Sequence, residues 1–350
     1  MVATIGYAAL EQGSTVKPFK FERRDLRPED VAVDILYCGV CYSDLHQIRN
    51  DWHNTVYPVV PGHEIVGRVT ATGSAARKHK PGDLVAIGCL VDSCRTCPSC
   101  KAGLEQFCEQ GATPTYNGRD RRTQAPTFGG YSNHIVTREE FVLRLPKGLD
   151  PQRAAPLLCA GITTWSPLKH WQVGPGSKVA VAGLGGLGHM GVKLAVALGA
   201  EVTVITTSPD KAKDARALGA HDVLISKDSA AMTAAGQRFD FVLDTIPVAH
   251  DMAPYLNLVN LDGAVVIVGA IDMLPSFHSG LLLRKRRSLS ASIIGGIPET
   301  QELLDFCAEK NILPECEIIA MQDIHKAYER LDRADVKYRF VIDMSTLPRG

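Results

Sequence analysis

The sequence predicts a two-domain protein of mixed class, with a β-rich unit leading into an α/β unit built on a parallel sheet. Three observations carry this. The chain has 350 residues, and a single hydrophobic core usually stops growing near about 250–300. Its texture changes along the way: short β-branched runs between Gly and Pro reach about residue 146, and apolar runs alternating with helical patterns occupy about 178–296. The stretch "SKVAVAGLGGLGHMGVKLAVALGA" sets a glycine turn between an apolar strand and an amphipathic helix.

Composition narrows the field. Hydrophobic residues make up 45%, and 38 Lys and Arg balance 38 Asp and Glu. No charge excess points to nucleic acid or to a membrane surface. The opening "MVATIGYAALEQG" has no basic segment ahead of an apolar one, so no secretory leader is expected. Ten cysteines then argue for reduced thiols or metal ligands in a cytoplasmic setting. Residues 179–200 are apolar enough to suggest a membrane span, but Lys193, His189 and the glycines fit the strand–turn–helix reading better.

In chain order, "DVAVDILYCGV", "HEIVGRVTATG", "DLVAIG", "YSNHIVT" and "FVLRLP" read as strands of the first unit. Between them lies "CRTCPSCKAGLEQFC", with Cys94, Cys97, Cys100 and Cys108. That spacing lets one lobe wrap a tetrahedral zinc, and four thiolates leave no open position, so such an ion is structural. An iron–sulfur cluster places its fourth cysteine three residues on and before Pro; here Glu109 follows Cys108. A set of unrelated buried thiols is the remaining alternative. After 296 the chain returns to mixed structure, with helices around "PETQELLDFCAEK" and "DIHKAYERLDRAD" and a strand in "KYRFVIDM".

The glycine turn is Gly183, Leu184, Gly185, Gly186, Leu187 and Gly188, and it contains G-x-G-x-x-G. Gly183 supplies the tight turn and Gly185 the close approach of a pyrophosphate, which meets the helix N-terminus. The next strand, "EVTVIT", settles which dinucleotide. A carboxylate at its carboxyl end would take the ribose 2′-OH, but Glu201 stands at the beginning. Thr206, Thr207, Ser208 and Lys211 stand at or beyond the end. Hydroxyls and a cation suit a 2′-phosphate, which favours NADP(H) over NAD(H). Asp210 opens the next helix, where a negative charge is favourable.

Other segments hold soft or borderline metal ligands: Cys41 with Ser43, Asp44 and His46 in "CGVCYSDLH", His63 and Glu64 in "PGHEIVG", and Cys159 in "APLLCAGITTW". Two Cys and one His form a known catalytic zinc set with an open fourth position. Each residue alone also reads as packing, a cap or a surface group. Together with the four-cysteine lobe, "GLGGLGHMGVKLA", "LDTIPV" and "DVKYRFVID", they make the chain resemble the zinc-dependent medium-chain alcohol dehydrogenases, within them the cinnamyl alcohol dehydrogenase group.

The resemblance runs over nearly the whole chain. It implies a GroES-like catalytic domain split in sequence (1–158 and 297–350) enclosing a Rossmann domain at 159–296. Cys41, His63 and Cys159 would bind catalytic zinc, with Glu64 able to approach the metal. Asp44 would orient His63. Ser43, also near the cofactor, and His46 would pass a proton between substrate and solvent. Thr163, Thr245, Gly269 and the backbone near Ser292, Ile293 and Ile294 would line the cofactor. The strand before Ser292 also reads as a buried edge strand that pairs with a second subunit, giving a homodimer. Trp52, Phe128 and Ile294 would flank an apolar pocket mouth, and Cys38, Cys89, Cys307 and Cys316 read as packing thiols.

The expected activity is NADPH-linked interconversion of aldehydes and primary alcohols. A polyol or sugar dehydrogenase would share fold and zinc but needs a polar pocket. A non-catalytic relative could lose a ligand or relay residue, yet none is missing. A zinc-free quinone reductase would lack both cysteine sets. The segments "DWHNTV" and "ATPTYNGRDRRTQAPT" match the plant lignin enzymes poorly, so a cinnamyl substrate is not implied.

Overall fold

The computed structural model describes residues 1–269 and 273–348. The chain divides into two compact units, Met1–Cys159 with Gly295–Gly350, and Ala160–Ile294.

The first unit is organised by the long strand Asp30–Val40, whose register buries Val31, Val33 and Ile35. Antiparallel partners flank it: Ile65–Thr72 and Arg339–Asp343, with His134–Arg138 pairing on its first half. The sheet extends through Leu84–Ile87 to Leu143–Arg144 on one side and Cys316–Ala320 on the other. Val33, Ile65, Val69, Val85, Ile87, Phe340 and Ile342 pack as its core. The stretch read as a strand at "FVLRLP" is shorter than expected. Glu139–Phe141 form a 3-10 turn and only Leu143–Arg144 pair, because Pro146 has no amide to continue the ladder. A separate hairpin, Val2–Ala8 with Lys17–Arg23, was not expected.

The second unit holds a six-stranded, all-parallel sheet in the order Asp222–Ile225, Glu201–Thr206, Lys178–Ala182, Phe239–Asp244, Val259–Ile267, Ser288–Ala291. The run Val179, Ala180, Val181 and Ala182 is wholly buried, the continuous apolar pattern of a strand covered on both faces. The order reverses beside Lys178–Ala182, so a crevice opens at the carboxyl ends of the central strands. The edge strand Ser288–Ala291 is half-exposed in the single chain, and Ser292–Ile294 follow it instead of continuing it. Residues 179–200 form the expected strand, turn and helix Gly188–Ala197. No helix among the described residues is long and apolar enough to cross a membrane.

Candidate active site

Helix Tyr42–Arg49 presents the first ligand candidate at its N-cap, Cys41. Asp44, one turn on, is fully buried and accepts from the Cys41 amide at 2.9 Å. Its other oxygen accepts from the Gly62 amide at 3.0 Å and from His63 Nδ1 at 3.1 Å. One carboxylate therefore fixes the chain at both Cys41 and His63 and sets the imidazole's tautomer, leaving Nε2 as a lone-pair donor. Gly62 has φ +97°, and a Cβ there would lie 2.7 Å from the Tyr131 ring, so the residue before His63 has to be glycine.

Cys41, His63, Glu64 and Cys159 each bring a ligand atom to within 4.8 Å of all the others. The Cys41 and Cys159 sulfurs are 3.9 Å apart. The hydrogen bond from Cys159 is the main reason the Cys41 thiol lies well below its ordinary range. Two thiols, an imidazole and a carboxylate, all buried, are a donor set that suits zinc. The Glu64 carboxylate adds an orphan: Oε1 is paired with buried Arg339, while Oε2 is buried with no hydrogen-bond partner among the described residues. Burial pushes Glu64 up to about 7 against the pull of Arg339. A buried carboxyl oxygen left unsatisfied beside two thiols fits a group that meets a cation.

Cys94, Cys97, Cys100 and Cys108 form a second convergent set, also within 4.8 Å of one another. Backbone amides point at their sulfurs: Thr96 and Cys97 toward Cys94 at 3.4 and 3.3 Å, and Cys94 toward Cys108 at 3.3 Å. The Thr96 and Cys97 amides hold the Cys94 thiol down at about 5. Burial pushes the neighbouring Cys100 thiol the other way, up to about 12.

Ser43 and His46 share the helix with Cys41. Ser43 Oγ lies 3.4 Å from the Cys41 sulfur. His46 Nδ1 is 2.7 Å from Asp51 Oδ2, and Tyr42 and Trp52 contact its ring at centroid distances of 4.7 and 5.4 Å. The sequence reading missed Asp51, although its spacing five residues past His46, beyond a helix C-cap at Asn50, was a usable signal. It also missed Arg339. Cys89 Sγ donates to the Leu158 carbonyl at 3.6 Å, and its neighbour Cys159 holds the Cys89 thiol below its ordinary value. Phe128 packs edge-on against Phe21 at 4.8 Å within the first unit.

In the second unit, Gly183 has φ +91° and faces Thr245 Oγ1, which donates to the Ala182 carbonyl at 2.7 Å. Gly188 packs against the Gly183 carbonyl, whereas a Cβ at Gly185 would meet nothing within 4 Å. That is the open cradle a pyrophosphate needs. Gly269 packs against the Ile246 backbone. At the strand end Thr206 is buried and accepts from the Ser208 amide at 3.3 Å, while Thr207 is exposed. Lys211 Nζ reaches the Leu184 carbonyl at 3.4 Å, which holds its charge over the glycine turn. Glu201, at the opposite end of the strand, pairs with Arg238. Thr163 is buried on helix Ala160–His170, and Ser292 donates its amide to the Ile267 carbonyl at 3.0 Å.

Similarity to known proteins covers both units. Residues 27–147 match the alcohol dehydrogenase GroES-like domain and residues 186–309 the zinc-binding dehydrogenase domain. The chain is 51% identical to aldehyde reductase YahK of Escherichia coli, covering 95% of each. The chain belongs to the zinc-dependent medium-chain alcohol dehydrogenases. Within this family it is 50% identical to the NADP-dependent alcohol dehydrogenase C 1 of Mycolicibacterium smegmatis, over 99% of each chain. Among solved structures, the CAD from Helicobacter pylori complexed with NADP(H) superposes with a TM-score of 0.93 at 40% identity, over 99% of each chain.

Proposed function

We propose that this protein is a zinc-dependent, NADP(H)-linked alcohol dehydrogenase that works as an aldehyde reductase on small aldehydes and primary alcohols. The observation that carries the reading is the convergence of Cys41, His63, Cys159 and the half-satisfied Glu64 within 4.8 Å. Cys41, His63 and Cys159 would hold catalytic zinc, with Glu64 beside it, and Cys94, Cys97, Cys100 and Cys108 a structural zinc. Bound zinc would supply a Lewis acid for the carbonyl oxygen, and NADPH a hydride for its carbon.

The chain's own residues do the rest. Asp44 keeps His63 in the ligating tautomer. Ser43 Oγ gives a proton to the substrate oxygen in reduction, and His46, oriented by Asp51, replaces it from solvent. The turn 183–188 receives the pyrophosphate, and Thr207, Ser208 and Lys211 the 2′-phosphate. Buried Thr206 shapes that site by accepting from the Ser208 amide. Thr163, Thr245, Gly269 and the segment Ser292, Ile293, Ile294 line the cofactor. We assign residues 159–296 to the NADP-binding domain and 1–158 with 297–350 to the catalytic domain. The strand Ser288–Ala291 has one sheet neighbour among the described residues, which supports a homodimer through its open edge. Cys41, Cys89, Cys94 and Cys159 are thiols and not disulfides, in keeping with a cytoplasmic protein.

The test joins metal analysis to turnover. Two zinc ions per chain are expected, with reduction of a panel of aromatic and aliphatic aldehydes faster on NADPH than on NADH. One zinc per chain, or a preference for NADH, overturns the reading.

A further inference from the structure

The Asp44 carboxylate has a fourth donor that the chemistry above leaves unused. Oδ2, which accepts from the Cys41 amide, also accepts from the Tyr131 hydroxyl at 3.3 Å. The Tyr131 oxygen in turn lies 3.3 Å from the Tyr328 hydroxyl. A carboxylate can only accept, so Tyr131 donates to Asp44 and its own oxygen accepts from Tyr328. Burial pushes both phenols well above their ordinary range, so both keep their protons.

Neither ring has room to turn away. Tyr131 is fully buried and Tyr328 is 6% exposed. The Tyr131 backbone is tied at both ends, its amide to the Pro61 carbonyl at 2.9 Å and its carbonyl to the Tyr7 amide at 2.8 Å. Buried Arg23 grips the same loop through the Phe128 and Gly129 carbonyls at 2.6 and 3.0 Å and Ser132 Oγ at 3.0 Å. Tyr328 sits on helix Ile324–Asp332, 197 positions from Tyr131 in sequence. A packing role needs rings only, and phenylalanine would serve it. Two buried hydroxyls in line on one carboxylate need a reason of their own, because each costs free energy to bury unless its hydrogen bond matters.

We propose that Tyr131 and Tyr328 are positioning residues for the metal site. Their hydroxyl pair fixes the Asp44 carboxylate as the acceptor for His63 Nδ1, and so slows loss of the metal held by Cys41, His63 and Cys159. Tyr328 acts only through Tyr131. The proposal rests on the zinc reading given above, and the experiment separates the two.

The full-length, zinc-loaded protein is mixed with excess chelator, and zinc release is followed with a metal-sensitive dye. The wild type should show two phases, the faster from the Cys41 site and the slower from the four-cysteine lobe. Tyr131→Phe keeps the ring and should accelerate the fast phase about tenfold, in the range that outer contacts to a metal-bound histidine usually carry. The slow phase should not change. Tyr328→Phe should accelerate the fast phase less, and the double variant should match Tyr131→Phe alone, since groups acting in series are not additive. An unchanged fast phase in Tyr131→Phe overturns the proposal, as does equal acceleration of both phases, which would mean general loosening. Multiplying effects in the double variant overturn the serial arrangement. A wild-type chain that releases a single zinc overturns the metal reading, and the proposal with it.

Discussion

His46 shows how a surface imidazole becomes a candidate relay. Its Nδ1 faces Asp51, and Tyr42 and Trp52 pin the ring, so the orientation of Nε2 is settled before any substrate arrives. His46→Ala should lower turnover near neutral pH on the order of tenfold to a hundredfold while zinc content stays at the wild-type level. Added buffer base should restore part of the loss, because external base can replace the imidazole. Loss of zinc, or full activity in every buffer, would contradict a relay. The proposed cofactor choice also rests on single residues. Thr207 is exposed at the strand end and Lys211 folds over the glycine turn. Thr207→Asp should set a carboxylate against the 2′-phosphate and shift preference toward NADH. Lys211→Ala should weaken NADPH about tenfold and leave NADH nearly untouched, measured as kcat/KM at fixed ionic strength because salt screens exposed charges. If Lys211→Ala weakens both cofactors equally, the lysine does not read the phosphate. The four-cysteine lobe was legible from its own spacing, whereas Cys41, His63 and Cys159, ambiguous one by one, were legible only as a set. Arg339 and Tyr328 were not. Arg339 meets Glu64 across 275 positions, and on their own segments both residues look like ordinary strand and helix positions.

At the scale of elements, what could be read depended on whether local pattern or tertiary contact decides. The continuous apolar run Val179–Ala182 and the glycine turn after it fix a buried parallel strand by themselves. By contrast, the shortness of Leu143–Arg144 depends on a 3-10 turn and a proline, and the packing of Phe128 on Phe19 and Phe21 depends on a hairpin near the start of the chain. The loop 117–127 is another case: nothing in its polar sequence shows what holds it. In the structure Asp120 accepts a fork from Arg27 at 2.8 and 2.9 Å and the amides of Arg122 and Thr123 at 2.9 and 2.8 Å. Burial alone would raise Asp120, but the Arg27 fork and the amides outweigh it and hold the carboxyl well below its usual range. The folded-state value lies below the unfolded one, so this anchor contributes fully above the unfolded carboxylate pKa of about 3.9, declines as pH falls below it and is lost only as pH passes the depressed folded-state value. Asp120→Asn should therefore be less stable than the wild type at pH 6, with the difference shrinking toward pH 3 in denaturant titrations. A difference that stays constant with pH would mean the charge of Asp120 contributes nothing.

For the whole molecule, the open side of the parallel sheet is the feature that asks for a partner. Among the described residues Ser288–Ala291 pairs only with Val259–Ile267, and its outer edge carries unpaired backbone groups. The same unit exposes Leu283 at 78%, Met273 at 74% and Ile293 at 61%. Single exposed apolar residues need no explanation, but here they accompany an uncapped edge, and the zero net charge of the chain puts little long-range repulsion between copies. A twofold axis beside the strand would set two such edges antiparallel and join the sheets, an isologous contact that closes on itself. The protein is therefore expected to sediment as a dimer at micromolar concentration. Leu283→Asp puts a charge on the apolar surface that this unit exposes and takes nothing from the glycine turn or from either cysteine cluster. It should shift the species toward monomer by light scattering while the zinc content stays at the wild-type level. A wild-type protein that runs as a monomer, or a Leu283→Asp variant that remains fully dimeric, would place the interface elsewhere or remove it.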